Sequence, residues 1–173
     1  METMKAIAKR KSVRAYNAEQ IPEDALNEIL TAGCAAPVGM GKYDTMHLTV
    51  VQNKATLSLL SNAVGQTARI DSDPFYGAPT VVIISSTKPM MPGIDYTNAG
   101  CLAENIMLAS ADMGIGSVLV WATGMTVEAD AELKKALAIP DGFTAQFSVA
   151  LGYAAADDNG EKDLSLLIGL NRV

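Results

Sequence analysis

Residues 80–85 read TVVIIS: four branched apolar residues in a row, with no polar residue alternating through them. A strand with one wet face alternates apolar and polar residues, whereas an unbroken apolar run suits a strand covered on both sides. This one segment therefore predicts a sheet lying between two helical layers. Three more strands are expected at residues 47–51, 117–121 and 147–151.

Helices are expected between them. Residues 3–9 form a short one. Ile21-Pro22-Glu23-Asp24 opens the next, with an early proline and acids in the first turn; Leu26, Ile29, Leu30, Gly33 and Cys34 recur at helical spacing, and Ala35-Ala36-Pro37 stops it. Asn53 caps a helix to about residue 63, and residues 62–76 read as an irregular surface stretch or short helix. Asp95 is expected to cap the longest helix, residues 95–113, whose stripe is Ala99, Leu102, Ala103, Ile106, Met107 and Ser110, with Gly114 at C′. Thr126 is expected to cap a last helix, residues 126–138. The fold class is α+β with three layers. With 173 residues and no repeat or linker, residues 1–173 are expected to form a single domain. Aromatics are only 5 per cent, so Ala, Val, Ile, Leu and nine Met must build the core.

Charge narrows the partners. There are 13 Lys and Arg against 19 Asp and Glu, which argues against nucleic acid and anionic membrane surfaces. The N-terminus shows no signal-peptide pattern and no run of about 20 apolar residues exists, so no leader or membrane span is expected and a cytoplasmic location follows. Cys34 and Cys101 lie in apolar helical stretches and are expected to be reduced and buried.

Catalytic side chains are scarce. The single histidine, His47, falls on a strand with no nucleophile elbow, so a structural role is expected. Ligand spacings for zinc or iron are absent, as is a Walker A loop. Gly114-Ile115-Gly116-Ser117 follows a helix and precedes a strand, the reverse of a dinucleotide fingerprint. Either the protein is not an enzyme, or a cofactor carries its chemistry.

Against that background the basic N-terminus matters. Lys5, Lys9, Arg10, Lys11 and Arg14 lie within 14 residues of an acidic chain. Arg10-Lys11-Ser12-Val13-Arg14 offers guanidinium forks, an ammonium and a hydroxyl suited to a phosphate, and Arg172 would join them if the termini meet. The plain alternative is a solvated charge run.

The ordered set of segments resembles the FMN-dependent nitroreductase family over nearly the whole chain. It comprises Arg10-Lys11-Ser12-Val13-Arg14-Ala15-Tyr16, Ile21-Pro22, Ala35-Ala36-Pro37, Tyr76-Gly77-Ala78-Pro79, Asp95 opening an Ala-rich helix, Met113-Gly114-Ile115-Gly116-Ser117 before a strand ending in Trp121, Ala150-Leu151-Gly152-Tyr153, and Asn171-Arg172. The resemblance implies a three-layer α-β-α fold, with a mixed, mainly antiparallel sheet around a long central helix, in a homodimer with FMN at the subunit interface. It implies that Arg10, Lys11, Ser12 and Arg14 hold the flavin phosphate and ribityl chain, with Arg172 closing on the phosphate. Pro37, Val38, Gly39, Met40 and Gly41 would lie against the ring from the other subunit. Leu119, Val120, Trp121 and Ala122 would present backbone groups to the ring, one N–H facing N5. Lys42 or Arg69 would be the cation at the N1–O2 edge. No metal is implied.

The activity implied is ping-pong hydride transfer from NAD(P)H to a small oxidised acceptor such as a nitroaromatic or quinone. A flavin-binding carrier or sensor without turnover is the alternative. Two departures stand out: Val38-Gly39-Met40-Gly41-Lys42-Tyr43-Asp44 replaces the family's amide-bearing loop, and Leu170 stands where some members have a lysine.

Overall fold

The unbroken apolar run lies in β2 (Thr80–Thr87), an inner strand of a four-stranded sheet. β1 (Met46–Val51), β3 (Gly116–Val120) and β4 (Phe143–Gly152) complete it in the order β1-β2-β4-β3, every pair antiparallel. A parallel contribution comes from an isolated bridge, Ser12 to Ser117, on the outer edge of β3. This computed structural model describes residues 2–156 and 160–173.

Alternation along β2 and β4 feeds two cores. Val82 and Ile84 with Phe147, Val149 and Leu151 pack beneath α2 (Glu23–Cys34) and α4 (Ile94–Asp112). Val81 and Ile83 with Ala145 and Ala150 pack beneath α3 (Lys54–Ala68), α5 (Ala122–Ala129) and α6 (Ala131–Ala136). Three α-β-α layers result, and the short α1 (Thr3–Lys9) lies against α4. All six stripe residues of α4 are buried; Ser110 answers its own hydroxyl by donating to the Ile106 carbonyl at 2.7 Å. Ile106 is fully buried, so Ile106→Ala would cost about 2–5 kcal/mol.

Helix ends depart from the expected ones. Asn53 does cap α3, accepting from Ala55 and Thr56 N–H, but the helix continues to Ala68 through the stretch expected to be irregular. The cap position of α4 is Gly93 in a left-handed conformation (φ 84), so Asp95 lies in the first turn instead. Thr126 lies inside α5, buried, its hydroxyl returned to the Ala122 carbonyl; Asp130 caps the separate α6. The cysteines are not core residues: Cys34 is exposed and Cys101 half-buried.

Candidate functional site

α1 ends because Arg10 turns extended (φ −62, ψ 116). The chain then runs along the free edge of β3, where Val13 N–H donates to the Ser117 carbonyl at 3.0 Å. The approach needs Gly116: a Cβ there would stand 2.8 Å from Val13 Cγ2. Beyond it the segment is pinned. Tyr16 N–H donates to Tyr76 O at 3.2 Å, Asn17 N–H to Tyr153 O at 3.0 Å, and Ala155 N–H to Ala15 O at 2.9 Å. Burial of Tyr16, then the Tyr76 phenol, push the Tyr16 hydroxyl well above its usual range, with Arg14 opposing; it stays neutral.

This run spreads its cations along the edge. At about 3.3 Å per extended residue, Arg10 and Arg14 start roughly 13 Å apart. Arg10 lines an open cavity of about 580 Å³ with Lys9, Lys11, Val13 and Ser117, within the size range of ligand sites. Ser12 and Arg14 are exposed. Lys11 Nζ donates to the Gly160 carbonyl at 2.9 Å. Arg10 Nε lies 3.9 Å from Glu104 Oε1 of α4, a loose, partly exposed pair that contributes little stability.

The other end of the edge is aromatic. Because Ser117 turns its carbonyl outward to Val13, the two-residue period turns Leu119 and the N–H of Trp121 outward as well. Trp121 is the cap position of α5, whose first N–H groups have no intrahelical acceptor and form the positive end of its dipole. The half-exposed Trp121 ring stacks between buried Phe147 (5.7 Å, 23°) and Tyr96 of α4 (5.6 Å, 16°). Val120 is half-buried, as is Ala122. Tyr96 and Glu104 are eight residues apart on α4, about 12 Å at 1.5 Å per residue. Along the strand edge, Trp121 lies four residues beyond Ser117, the residue bridged to Ser12, or about 13 Å.

The loop after α2 is fixed on α4. Val38 is buried, Gly39 N–H donates to Asn98 Oδ1 at 3.0 Å, and Met40 (φ 56) and Gly41 (φ 65) are left-handed, with Met40 exposed. Between loop and helix lies a small cavity of about 40 Å³, lined by Met40, Lys42, Ser86, Lys88, Asp95 and Asn98. Asp95 Oδ1 is buried with no hydrogen-bond partner.

The chain therefore gathers Arg10 and Lys11 on one wall of the cavity, with Ser12 bridged to Ser117 on the β3 edge beside them, but leaves other expected residues apart. Neither the loop from Pro37 to Gly41 nor the segment from Leu119 to Ala122 lines the larger cavity. Lys42 stays with the loop, while Arg69 caps α3 on the opposite helical layer. Arg172 is exposed; among the described residues no hydrogen bond or ion pair ties it to Arg10. Sequence reasoning missed Tyr96 and Glu104. Tyr96 could have been seen as a large aromatic in the first turn of a small-residue helix; Glu104 becomes a neighbour of Arg10 only through folding.

Among the described residues no helix is long and apolar enough to cross a membrane, and no group of His, Cys, Asp or Glu could hold a metal. Comparison with known proteins gives a consistent result. A Bacteroides fragilis nitroreductase crystallised with bound FMN superposes with a TM-score of 0.86 at 32% identity, covering 100% of this chain and 99% of that one. A Desulfitobacterium hafniense nitroreductase, also with bound FMN, gives 0.85 at 25% identity, covering 99% and 97%. A Methanothermobacter thermautotrophicus protein with the provisional name NADH dehydrogenase/NAD(P)H nitroreductase is 26% identical over 165 residues, 95% of this chain and 83% of that one. The family model described as "Nitroreductase family" matches residues 7–153, and the chain belongs to the nitroreductase family.

Proposed function

We propose that this protein binds FMN and acts as an NAD(P)H-dependent oxidoreductase on small oxidised acceptors such as nitroaromatics or quinones. The observation that carries this reading is the open edge of β3, with Arg10, Lys11 and Ser12 at one end and the Trp121–Ala122 helix start at the other. The residues fit the group: cations and a hydroxyl for a phosphate, outward backbone donors for a ring, and about 12 Å between them along α4. Similarity to nitroreductases crystallised with FMN adds support.

When bound, FMN supplies the redox chemistry, taking hydride from NAD(P)H and returning reducing equivalents to the acceptor. The chain's own part is binding, orientation and electrostatics. Arg10, Lys11 and Ser12 hold the phosphate end, and Arg14 lies further along toward the ring. The outward N–H of Trp121, backed by the α5 dipole that starts at Ala122, donates at the ring edge. Trp121 and Tyr96 wall the space where a planar substrate would stack.

A homodimer belongs to the same reading. The tail exposes Leu166, Leu167 and Ile168, each more than four-fifths accessible, a run that calls for a partner surface. Gly100 sits exposed in the middle of α4, and a Cβ added there would meet nothing within 4 Å; glycine is a helix-weakening choice at such a position unless a second backbone comes close. The second copy would bring its Pro37–Gly41 loop and Arg172 to the flavin.

The test is to saturate purified protein with FMN and mix it anaerobically with NADH and NADPH. Bleaching of the visible flavin band, reversed by a quinone or nitroaromatic, is expected. Tight binding without bleaching would make the protein a flavin carrier or sensor, and no binding would overturn the reading.

A further inference from the structure

The small cavity between the loop and α4 adjoins the aromatic wall by two routes. Asp95, which lines it, directly precedes Tyr96 in the first turn of α4, and Tyr96 stacks on Trp121. Phe147, on the other side of Trp121, pairs with Ile84 of β2; Ser86, which also lines the cavity, is two residues further on, about 7 Å along the strand. At about 40 Å³ the cavity holds roughly three water-sized spheres, room for one small polar group and not for a ring. Its lining offers a donor and an acceptor from one helix face. Asn98 is only 6 % exposed and accepts from Gly39 N–H through Oδ1, so Nδ2 is its donor end, without a partner among the described residues. Asp95 Oδ1 is buried and equally unpartnered. The two residues are three apart on α4, which puts their Cβ atoms about 5–6 Å apart. Lys42 and Lys88 line the cavity too, and among the described residues neither is ion-paired with Asp95.

We propose that Asp95 and Asn98 form a subsite for the carboxamide of the reduced nicotinamide, Asn98 Nδ2 donating to its oxygen and Asp95 Oδ1 accepting from its NH2 group. This deepens the NAD(P)H reading above and rests on it. A primary carboxamide carries an acceptor and a donor side by side, the complement of this pair. A carboxylate would face Asp95 with like charge, and an ammonium would leave Nδ2 unanswered. A buried acceptor without a donor is costly, and the ligand supplies the missing one. The planar ring that bears the carboxamide is too large for the cavity, so it stays outside, beside Trp121 and Tyr96.

The experiment compares NADH with its acetylpyridine analogue, which keeps the carbonyl and replaces the NH2 group by methyl. FMN-loaded protein is mixed anaerobically with each, and the dissociation constant is taken from the saturation of flavin bleaching. A tetrahydro analogue of NADH, which keeps the carboxamide but cannot give hydride, is titrated at equilibrium by the change in flavin absorbance. The unmutated protein is expected to bind NADH roughly tenfold more tightly than the acetyl analogue, as for one partly exposed charge-assisted bond. Asp95→Ala is expected to weaken NADH and the tetrahydro analogue roughly tenfold and the acetyl analogue less than about twofold, so that NADH and the acetyl analogue bind alike. Asp95→Asn, which keeps an acceptor oxygen, is expected to return NADH to within about threefold of the unmutated protein. Unchanged NADH affinity in Asp95→Ala overturns this subsite alone, as does an equal loss for NADH and the acetyl analogue, which would mean that Asp95 serves the first turn of α4. Failure of the unmutated protein to bleach overturns the NAD(P)H reading and this subsite with it.

Discussion

The two chain ends meet at Ala8 and Lys162 but are finished to different degrees. Residues 12–17 are held by backbone bonds to Ser117, Tyr76 and Tyr153 and by a buried Tyr16 ring. Past Lys162 the tail has no regular structure, and its apolar residues face outward. The contrast separates two kinds of task. The polar edge at Arg10 and Ser12 stands complete within one chain, because exposed charges and hydroxyls can be satisfied by water. The apolar tail cannot be satisfied that way, and its sequence makes physical sense only against another surface.

The sharpest way to break the comparison is to remove the unfinished end. Truncation after Asp163 deletes Leu166, Leu167 and Ile168, each worth about 1.5–3 kcal/mol if fully buried. Light scattering after gel filtration should show a dimer for the whole chain and a monomer for the truncated one at micromolar concentration. A monomeric whole chain would mean that the tail covers no second copy. The finished end should respond differently. Arg10→Ala is expected to weaken FMN by roughly ten- to a hundredfold, the range of one charge-assisted contact, while leaving riboflavin affinity and the thermal midpoint nearly unchanged. A large drop in midpoint would show that Arg10 serves the fold.

The same division runs through what the sequence made legible. Strands and the α4 stripe could be read because each rests on local periodicity, and all six stripe residues are buried. The class of fold followed from VVII in β2, whose alternate residues enter opposite cores. Errors arose where a distant contact decides. The helix expected to start at Thr126 starts at Ala122 instead, and packs so close to the Gln146 carbonyl that Gly124 has no room for a side chain. Asp95 has the right side chain for a cap, but Gly93 holds the left-handed turn that admits the chain. Lys162 is about as far from Ala8 in sequence as this chain permits, so no spacing rule could bring them together; a backbone bond does.

Gly100 tests the exposed face of α4, midway between Tyr96 and Glu104. In an isolated protomer Gly100→Ala should stabilise the helix by about 0.5–1 kcal/mol, since nothing obstructs the methyl group. If a second α4 or neighbouring backbone packs there, the same methyl costs about 1–3 kcal/mol of association. Thermal unfolding of the truncated chain and dilution of the whole one read the two effects separately. The expected result is opposite signs. A gain in both would place the dimer contact elsewhere, and the tail alone would then carry it.

The smallest expected effect is the most pointed about the cationic end. Glu104 lies near Arg10, so it neutralises a cation that a phosphate would claim. Glu104→Gln removes that competition while keeping the size and helix propensity of the side chain. Exposed pairs are worth about 0.2–1 kcal/mol, so FMN should bind roughly two- to threefold tighter, riboflavin should not change, and the gain should shrink as salt is added. Weaker FMN binding would reverse the assignment: Glu104 would then be aiming Arg10 at the phosphate, and its charge would be a means of orientation that costs less than the order it imposes.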